Sequence, residues 1–407
     1  MHKHEFFENA REDLTGPLAG VSVLEVTSTW AGPMCGVVLA DLGADVIKVE
    51  IPSGDVARSI IPIPDSEISV MHATVNRNKR SLAIDMTRPE GRQVLLDLAA
   101  EVDIVVENFK SGVLARHGLG YDDLTAVKPD IIYVSVTGWG QFGPDHEAAG
   151  YDPLAQATSG FMTINGSPDG PPTKAGSFLA DDLGGLHGAI GAIAALRHRD
   201  QTGEGQYVDI ALLDAMLYQT DGMPTLGSIG VQPARWGNEF GFAVPADVYD
   251  CADGPVYAGV LLDDHWKRLA VILGQPELAE NEAFATVDGR AQNRDVCNML
   301  LGGWLAERTR DEAIEVLRDA GLAIAKVQSF VDVVDDAHVQ ARDMLQSVTH
   351  HDGTTVPIVG PSWKFSRTPV KIRTAAPALG QDTDAILSEL GLTDDQVAGL
   401  RDAGIVP

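Results

Sequence analysis

Short β-branched and aliphatic runs alternate with longer stretches of helical periodicity through the first half of the chain. VSVLEV (21–26) predicts a buried strand, and GPMCGVVLADLG (32–43) a helix closed by glycine. VIKVE (46–50), DIVVENF (103–109) and IIYVSVTGW (131–139) predict further strands, and RPEGRQVLLDLAAEV (88–102) an amphipathic helix. Strands alternating with helices predict βαβ units and hence a parallel sheet. LGGLHGAIGAIAALRHR (183–199) is apolar and rich in Gly and Ala, which predicts a central helix that other backbone approaches closely. Beyond residue 224 the texture changes to clustered Gly, Pro and aromatics, followed by several short helices. The expected organisation is a large α/β domain from residues 1–224 and 326–407, with a smaller domain at 225–325. The chain closes on a helix at DTDAILSELGL (382–392).

The turn after the first strand, STWAGPMCG, lacks the G-x-G-x-x-G fingerprint, so a nicotinamide cofactor is not supported. Gly32-Pro33 instead reads as the opening of a helix. No H-E-x-x-H, G-x-S-x-G or P-loop pattern occurs, which removes support for zinc proteases, serine hydrolases and phosphate-loop ATPases. A net charge of −28 argues against nucleic acid and anionic membrane as partners. No apolar run approaches the ~18 residues of a bilayer span, and MHKHEFFENARED lacks a signal peptide's apolar segment. A cytoplasmic protein is the expectation. The 3 cysteines, Cys35, Cys251 and Cys297, match no metal or disulfide spacing and read as packed, reduced thiols.

Against this acidity, NRNKRSLAIDMTRPEGR (76–92) concentrates Arg77, Lys79, Arg80, Arg88 and Arg92. Two readings stand: a polyphosphate-binding loop at the end of a strand, or a solvated face neutralised by neighbouring acids. Lys110 and Arg116 form a thinner second patch. In KAGSFLADDLGGLHG (174–188), Asp181 and Asp182 precede a Gly pair and the small-residue helix. Either could be a helix cap. Gly-rich surroundings also admit a substrate, and a carboxylate placed so can serve as a covalent nucleophile. His187 reads as packed, and His350-His351 as an exposed polar turn. Trp30 and Trp139 stand in Gly-containing loops after strands, where packing and pocket lining are both open.

The ordered blocks AGPMCGVVLADLGADVIKVEIPSGDVAR (31–58), NRNKRSLAIDM (76–86), VENFKSGVLARHGLGYDDL (106–124), VSVTGWGQFGP (134–144), AAGYDPLAQATSG (148–160) and AALRHRDQTGEGQYVDIALLDA (194–215) resemble class III CoA-transferases, the group that includes formyl-CoA:oxalate and carnitine CoA-transferases and the α-methylacyl-CoA racemases. The likeness runs from PLAGVSVLEV at residue 17 to LGQDTDAILSELGLTDDQVAGL (379–400). It implies a Rossmann-like parallel-sheet large domain with a smaller inserted α+β domain, in an interlocked homodimer. A heteromer with a related subunit is the alternative assembly.

The resemblance places the family nucleophile on Asp181. It implies transfer of CoA from an acyl-CoA to a small carboxylic acid through an acyl-aspartyl anhydride and an aspartyl-CoA thioester. The CoA thioester is then a substrate, with no permanently bound cofactor and no metal. CoA contacts carry over to Trp30, Ala31, Ile84, Asp85, Met86, Thr87, Asn108, Phe109, Lys110, Arg116, Ala149, Gly150 and Tyr151. Oxyanion donors are expected at the Trp30–Ala31 turn and around Gly184-Gly185. Ile51 and Thr87 replace an Arg and a Lys of the oxalate enzyme, Trp30 replaces a Gln of its small-acid pocket, and its tetraglycine loop is not visible. These departures point away from oxalate and formate and toward a larger acyl group.

Two other functions stay in view. Racemases share GWGQ-GP but use a His–Asp pair, and their His falls on Tyr151. A phenol, with an ordinary pKa near ~10, is a poor base at neutrality, which favours transfer over 2-methylacyl-CoA racemisation. A non-catalytic CoA-binding subunit is the third reading, against which the intact Asp181 block stands.

Overall fold

The computed structural model describes residues 2–407, and Met1 lies outside them. The described chain divides into two compact units: residues 2–161, 174–230 and 338–407 form the larger, and residues 162–173 and 231–337 the smaller. The smaller unit thus starts six residues later and ends twelve residues later than the 225–325 expected from texture. It also takes in 162–173, the end of a short helix and the loop after it, which nothing in the sequence marked.

In the larger unit, β1 (Ser22–Val26), β2 (Asp45–Glu50), β3 (Lys79–Ala83), β4 (Ile104–Glu107), β5 (Ile132–Thr137) and β6 (Gln206–Ala211) form one sheet in the order β3-β2-β1-β4-β5-β6. Every pairing is parallel. Alternation along each strand sends side chains to opposite faces, and both faces are buried, as parallel sheets require. Leu24, Ile47, Val49, Leu82, Val105 and Tyr133 face one layer, which the helix Pro89–Glu101 and the C-terminal residues Ile386, Leu387 and Val397 help to fill. Val23, Val46, Ile104, Val106, Ile132 and Val134 face the other.

That second layer is made by α1 (Ala31–Asp41) and α2 (Leu179–Thr202), which pack closely along small residues. A Cβ added at Gly185 would lie 2.6 Å from Met34 Cβ and 2.8 Å from the Ala31 carbonyl, and one at Gly188 would lie 3.1 Å from Cys35 Sγ. The small-residue run is therefore a helix–helix contact, as its composition suggested. No helix among the described residues is long and apolar enough to cross a membrane.

Most of the basic segment 76–92 turns out to be interior. Lys79, on β3, is buried with Nζ 2.6 Å from Glu25 Oε2, and buried Lys48 lies 3.3 Å from Glu25 Oε1. Arg77 pairs with buried Asp41 at 2.5 Å, and Arg80 bridges Asp45 and Glu389 at 2.7 and 2.8 Å. Three of the five cations thus neutralise this protein's own acids, and only Arg88 and Arg92 lie on the exposed start of the helix Pro89–Glu101. The run gave no sign of this because the acids come from other strands and helices.

The smaller unit carries an antiparallel sheet of Ala246–Cys251, Gly254–Gly259 and Ala323–Lys326. Its core gathers Trp266, Leu269, Leu301, Leu305 and Leu317. Back in the larger unit, Leu345–Thr349 and Thr355–Val359 form a hairpin whose turn holds His350 and His351. His351 is exposed as expected, but His350 is 4% exposed: the turn is tied down by bonds from Ser66 Oγ and Glu67 N to Asp352, and His350 borders a small cavity with Ser69 and His72. The three cysteines are buried and free.

Candidate active site

All the predicted site residues follow the carboxyl ends of the parallel strands, where open α/β sheets bind ligands. Trp30 and Ala31 follow β1, residues 84–87 follow β3, and Asn108, Phe109 and Lys110 follow β4. Ala149, Gly150 and Tyr151 lie between β5 and the helix Asp152–Thr158. Trp30, Asp181 and Asp182 are brought together outright. Trp30 caps α1, and its indole Nε1 donates to Asp182 Oδ1 at 2.7 Å, while its ring packs on Phe178 at 5.4 Å.

Asp181 and Asp182 occupy the first turn of α2. Asp152 is 2% exposed and accepts the Ala180 N–H at 2.7 Å, so a third carboxylate lies against the same turn. Gln156, one helical turn after Asp152 and fully buried, donates to both Asp152 oxygens and accepts from Ala175 N at 2.8 Å. The pair clips the segment before the helix at both ends. Sequence reasoning assigned neither residue a role, although the i, i+4 spacing in DPLAQ was a readable sign that they share a helix face.

Burial foremost, then the charges of Asp152 and Asp182, push the Asp181 carboxyl up to about 7. Asp182 is also raised, by burial first, with the Trp30 hydrogen bond opposing. Among the described residues no hydrogen bond engages the Asp181 carboxylate. The arrangement offers one unengaged carboxylate between two that are held.

The other predicted residues divide by exposure. Ile84 is fully buried and Met86 is 8% exposed, both in the core layer, so only their main chain can meet a ligand. Asp85 accepts both the N–H and the hydroxyl of Thr87, folding that loop on itself. Asn108 brackets Ser28, accepting its N–H at 2.9 Å and donating to its carbonyl at 2.8 Å. Lys110, Arg116, Ala149 and Tyr151 are exposed, and Gly150 lies close against Gly138. Lys110 also borders a cavity of about 460 Å³ shared with Glu107, Tyr121, Tyr133, Gln141 and Tyr207. Burial pushes Glu107 up to about 7, against the bonds it accepts from Ser135 and from Phe109 N. Gly184 and Gly185 are buried, with Gly184 against Leu212 and Gly185 against Met34, so both glycines serve close packing.

Comparison with known proteins accords with this geometry. Residues 18–383 match the model of CoA-transferase family III. The chain belongs to that family. It is 36% identical to a succinate–glutarate CoA-transferase of Agrobacterium fabrum, over 92% of this chain and 96% of the relative. It is 35% identical to the succinyl-CoA–L-malate CoA-transferase beta subunit of Chloroflexus aurantiacus, over 96% of this chain and 98% of the relative. Among solved structures, a CAIB/BAIF family protein from Brucella suis superposes with a TM-score of 0.83 at 35% identity, covering 92% of this chain and 100% of that one. The protein is accordingly a CoA-transferase, acting between an acyl-CoA and a carboxylic acid.

Proposed function

We propose that this transferase carries CoA between two dicarboxylic acids through covalent intermediates on Asp181. The observation that carries the reading is the Asp181 carboxyl: it is shielded, unengaged, and held near neutrality beside Asp152 and Asp182. The acid class follows from relatives named for glutarate, L-malate and mesaconate, each with succinate or succinyl-CoA as the other partner.

In the proposed sequence the Asp181 carboxylate attacks the donor thioester carbonyl. The C–S bond breaks, giving an acyl-aspartyl anhydride and CoA thiolate. The thiolate attacks the aspartyl carbonyl, expelling the donor acid as carboxylate and leaving an aspartyl-CoA thioester. The acceptor carboxylate attacks that thioester and releases CoA thiolate, forming a second anhydride. The thiolate then attacks the acceptor acyl carbon, giving the new acyl-CoA and free Asp181. One difficult exchange becomes four acyl transfers that retain the thioester's energy. Each passes through an oxyanion that needs donors near Asp181. The open N–H groups at the start of α1, by Trp30 and Ala31, are the proposed source, because the Ala31 carbonyl approaches Gly185 on α2. CoA itself is proposed to contact Trp30, Ala31, residues 84–87, Asn108–Lys110, Arg116 and residues 149–151, in a homodimer or a pair with a related subunit.

Intact-mass analysis after incubation with succinyl-CoA tests the mechanism. Wild type should show a CoA adduct that hydroxylamine removes, and Asp181→Ala should show none and lose turnover. An adduct that persists in Asp181→Ala would sink the assignment. Deuterium exchange at the α-carbon without CoA exchange would instead establish a racemase.

A further inference from the structure

We infer that Asp55 is a positioning residue for the transfer reaction, holding a left-handed turn at Thr29 that presents Trp30 to Asp182. The inference rests on the proposed role of Asp181.

Asp55 opens the short turn Val56–Ser59 after β2 and is 8% exposed. Both of its oxygens accept the Thr29 N–H at 3.1 Å, and Oδ1 also accepts from Ser28 Oγ at 3.2 Å and Ala57 N at 2.9 Å. Lys48 lies 3.2 Å from Oδ2 with its side chain fully buried, and it donates at 3.2 Å to the Thr27 carbonyl. One buried ion pair therefore grips the main chain at Thr27 and again at Thr29. From the other side, Asn108 brackets Ser28 with the two bonds already described.

The residue gripped is the unusual one. Thr29 has φ +71°. A β-branched side chain is an outlier in that region and stays there only where its surroundings over-determine it. The next residue, Trp30, is the side chain that donates to Asp182, beside the nucleophile. Capping the Val56–Ser59 turn would need only the Ala57 bond. The bidentate hold on Thr29, far away in sequence, has no part in that capping. Burying Lys48 and Asp55 is costly unless each is closely partnered, and their other partners lie in the Thr27–Thr29 turn, in Glu25 and in Glu50 Oε1, which accepts Asp55 N. Without Asp55, Thr29 is free to relax to negative φ. That rotates the start of α1, draws the indole from Asp182 and disturbs the carboxylate beside it.

The test is a set of double-mutant cycles on the full-length protein, with Asp55→Ala, Thr29→Gly and Trp30→Phe, assayed with succinyl-CoA and glutarate. Asp55→Ala should lower kcat by about 10-fold or more and raise KM for acyl-CoA by a smaller factor, since Trp30 and Ala31 are only part of the proposed CoA contact whereas the reacting geometry is lost outright. Adding Thr29→Gly should recover much of kcat, because glycine adopts positive φ without strain. In a Trp30→Phe background, Asp55→Ala should cost clearly less than in wild type, because the part of the loss that runs through the indole is already gone. Additive losses for positions 55 and 30, or no rescue by glycine in protein whose circular dichroism shows it folded, overturn the proposal. Should the alanine variant not fold, the isosteric Asp55→Asn takes its place in both cycles with the same expected signs. Asp181→Ala separates the two readings: full turnover in that variant defeats the nucleophile, while its inactivity together with additive Asp55 effects defeats only the positioning role.

Discussion

An acid in the first turn of a helix is ordinarily strengthened by the helix dipole, which favours the anion there by about 0.3–1 kcal/mol. Asp181 is pushed the other way, to about 7, because burial and two neighbouring carboxylates outweigh the dipole. A carboxylate nucleophile must be ionised, so kcat/KM for acyl-CoA should rise with pH and level off above about 7. Asp152→Asn keeps an oxygen to accept the Ala180 N–H but removes a charge that raises Asp181, so the midpoint of that profile should move to lower pH. A pH–rate profile with an unmoved midpoint would show that burial and Asp182 set the value without Asp152. Sequence made the Asp181-Asp182 pair visible as a candidate. The pair's acidity was not legible, because the carboxylate that perturbs it belongs to another helix, 29 and 30 positions earlier in the chain.

Between elements, the contact of α1 with α2 sets where the Trp30 turn and Asp181 meet. Gly185→Ala would place a methyl 2.6 Å from Met34 Cβ and 2.8 Å from a main-chain carbonyl that cannot swing aside. Overpacking of this kind costs about 1–3 kcal/mol, and a lowered urea midpoint should report it. Beside the 345–359 hairpin, two buried imidazoles, His72 and His350, line one small cavity. Burial drives His72 down to about 3, so its ring stays neutral in the folded state until the pH falls to that range, and burial lowers His350 as well. The unfolded chain takes up protons as pH falls below about 6.5 while the folded chain does not, so stability is lost as pH falls from there toward about 3. His72→Leu should flatten the dependence of Tm on pH between about 6.5 and 4. An equally steep slope would remove His72 from the account.

Across the whole molecule, Lys48, Lys79 and Arg77 are sequestered with Glu25, Asp41 and Asp55, so these cations do not offset the net charge of −28 at the surface. CoA thioesters are polyanions, and a field of like sign slows their approach until salt screens it over a Debye length of about 10 Å at 0.1 M. The value of kcat/KM for succinyl-CoA should therefore rise with ionic strength from low salt, as stopped-flow or initial-rate measurements would show. A fall would mean that Lys110 and Arg116 steer the substrate despite the global charge.

The sequence by itself determined the alternation of strands and helices, the parallel sheet and the small-residue helix at its centre. These follow from side-chain periodicity and size, which are local properties of a chain. It also determined the family, because many short blocks in fixed order act together as one long signal. Tertiary structure decided which charges are chemistry and which are scaffold. Lys79 and Arg77 became interior counter-ions because Glu25 and Asp41 reach them from other elements. His350 became buried because its hairpin is tied to Ser66 and Glu67, far earlier in the chain. Asp152, Gln156 and Asp55 gained their places only when distant segments closed around the Trp30 turn and the start of α2. A side chain's pKa, its exposure and its hold on a neighbouring loop depend on what packs against it, and a linear pattern does not contain that.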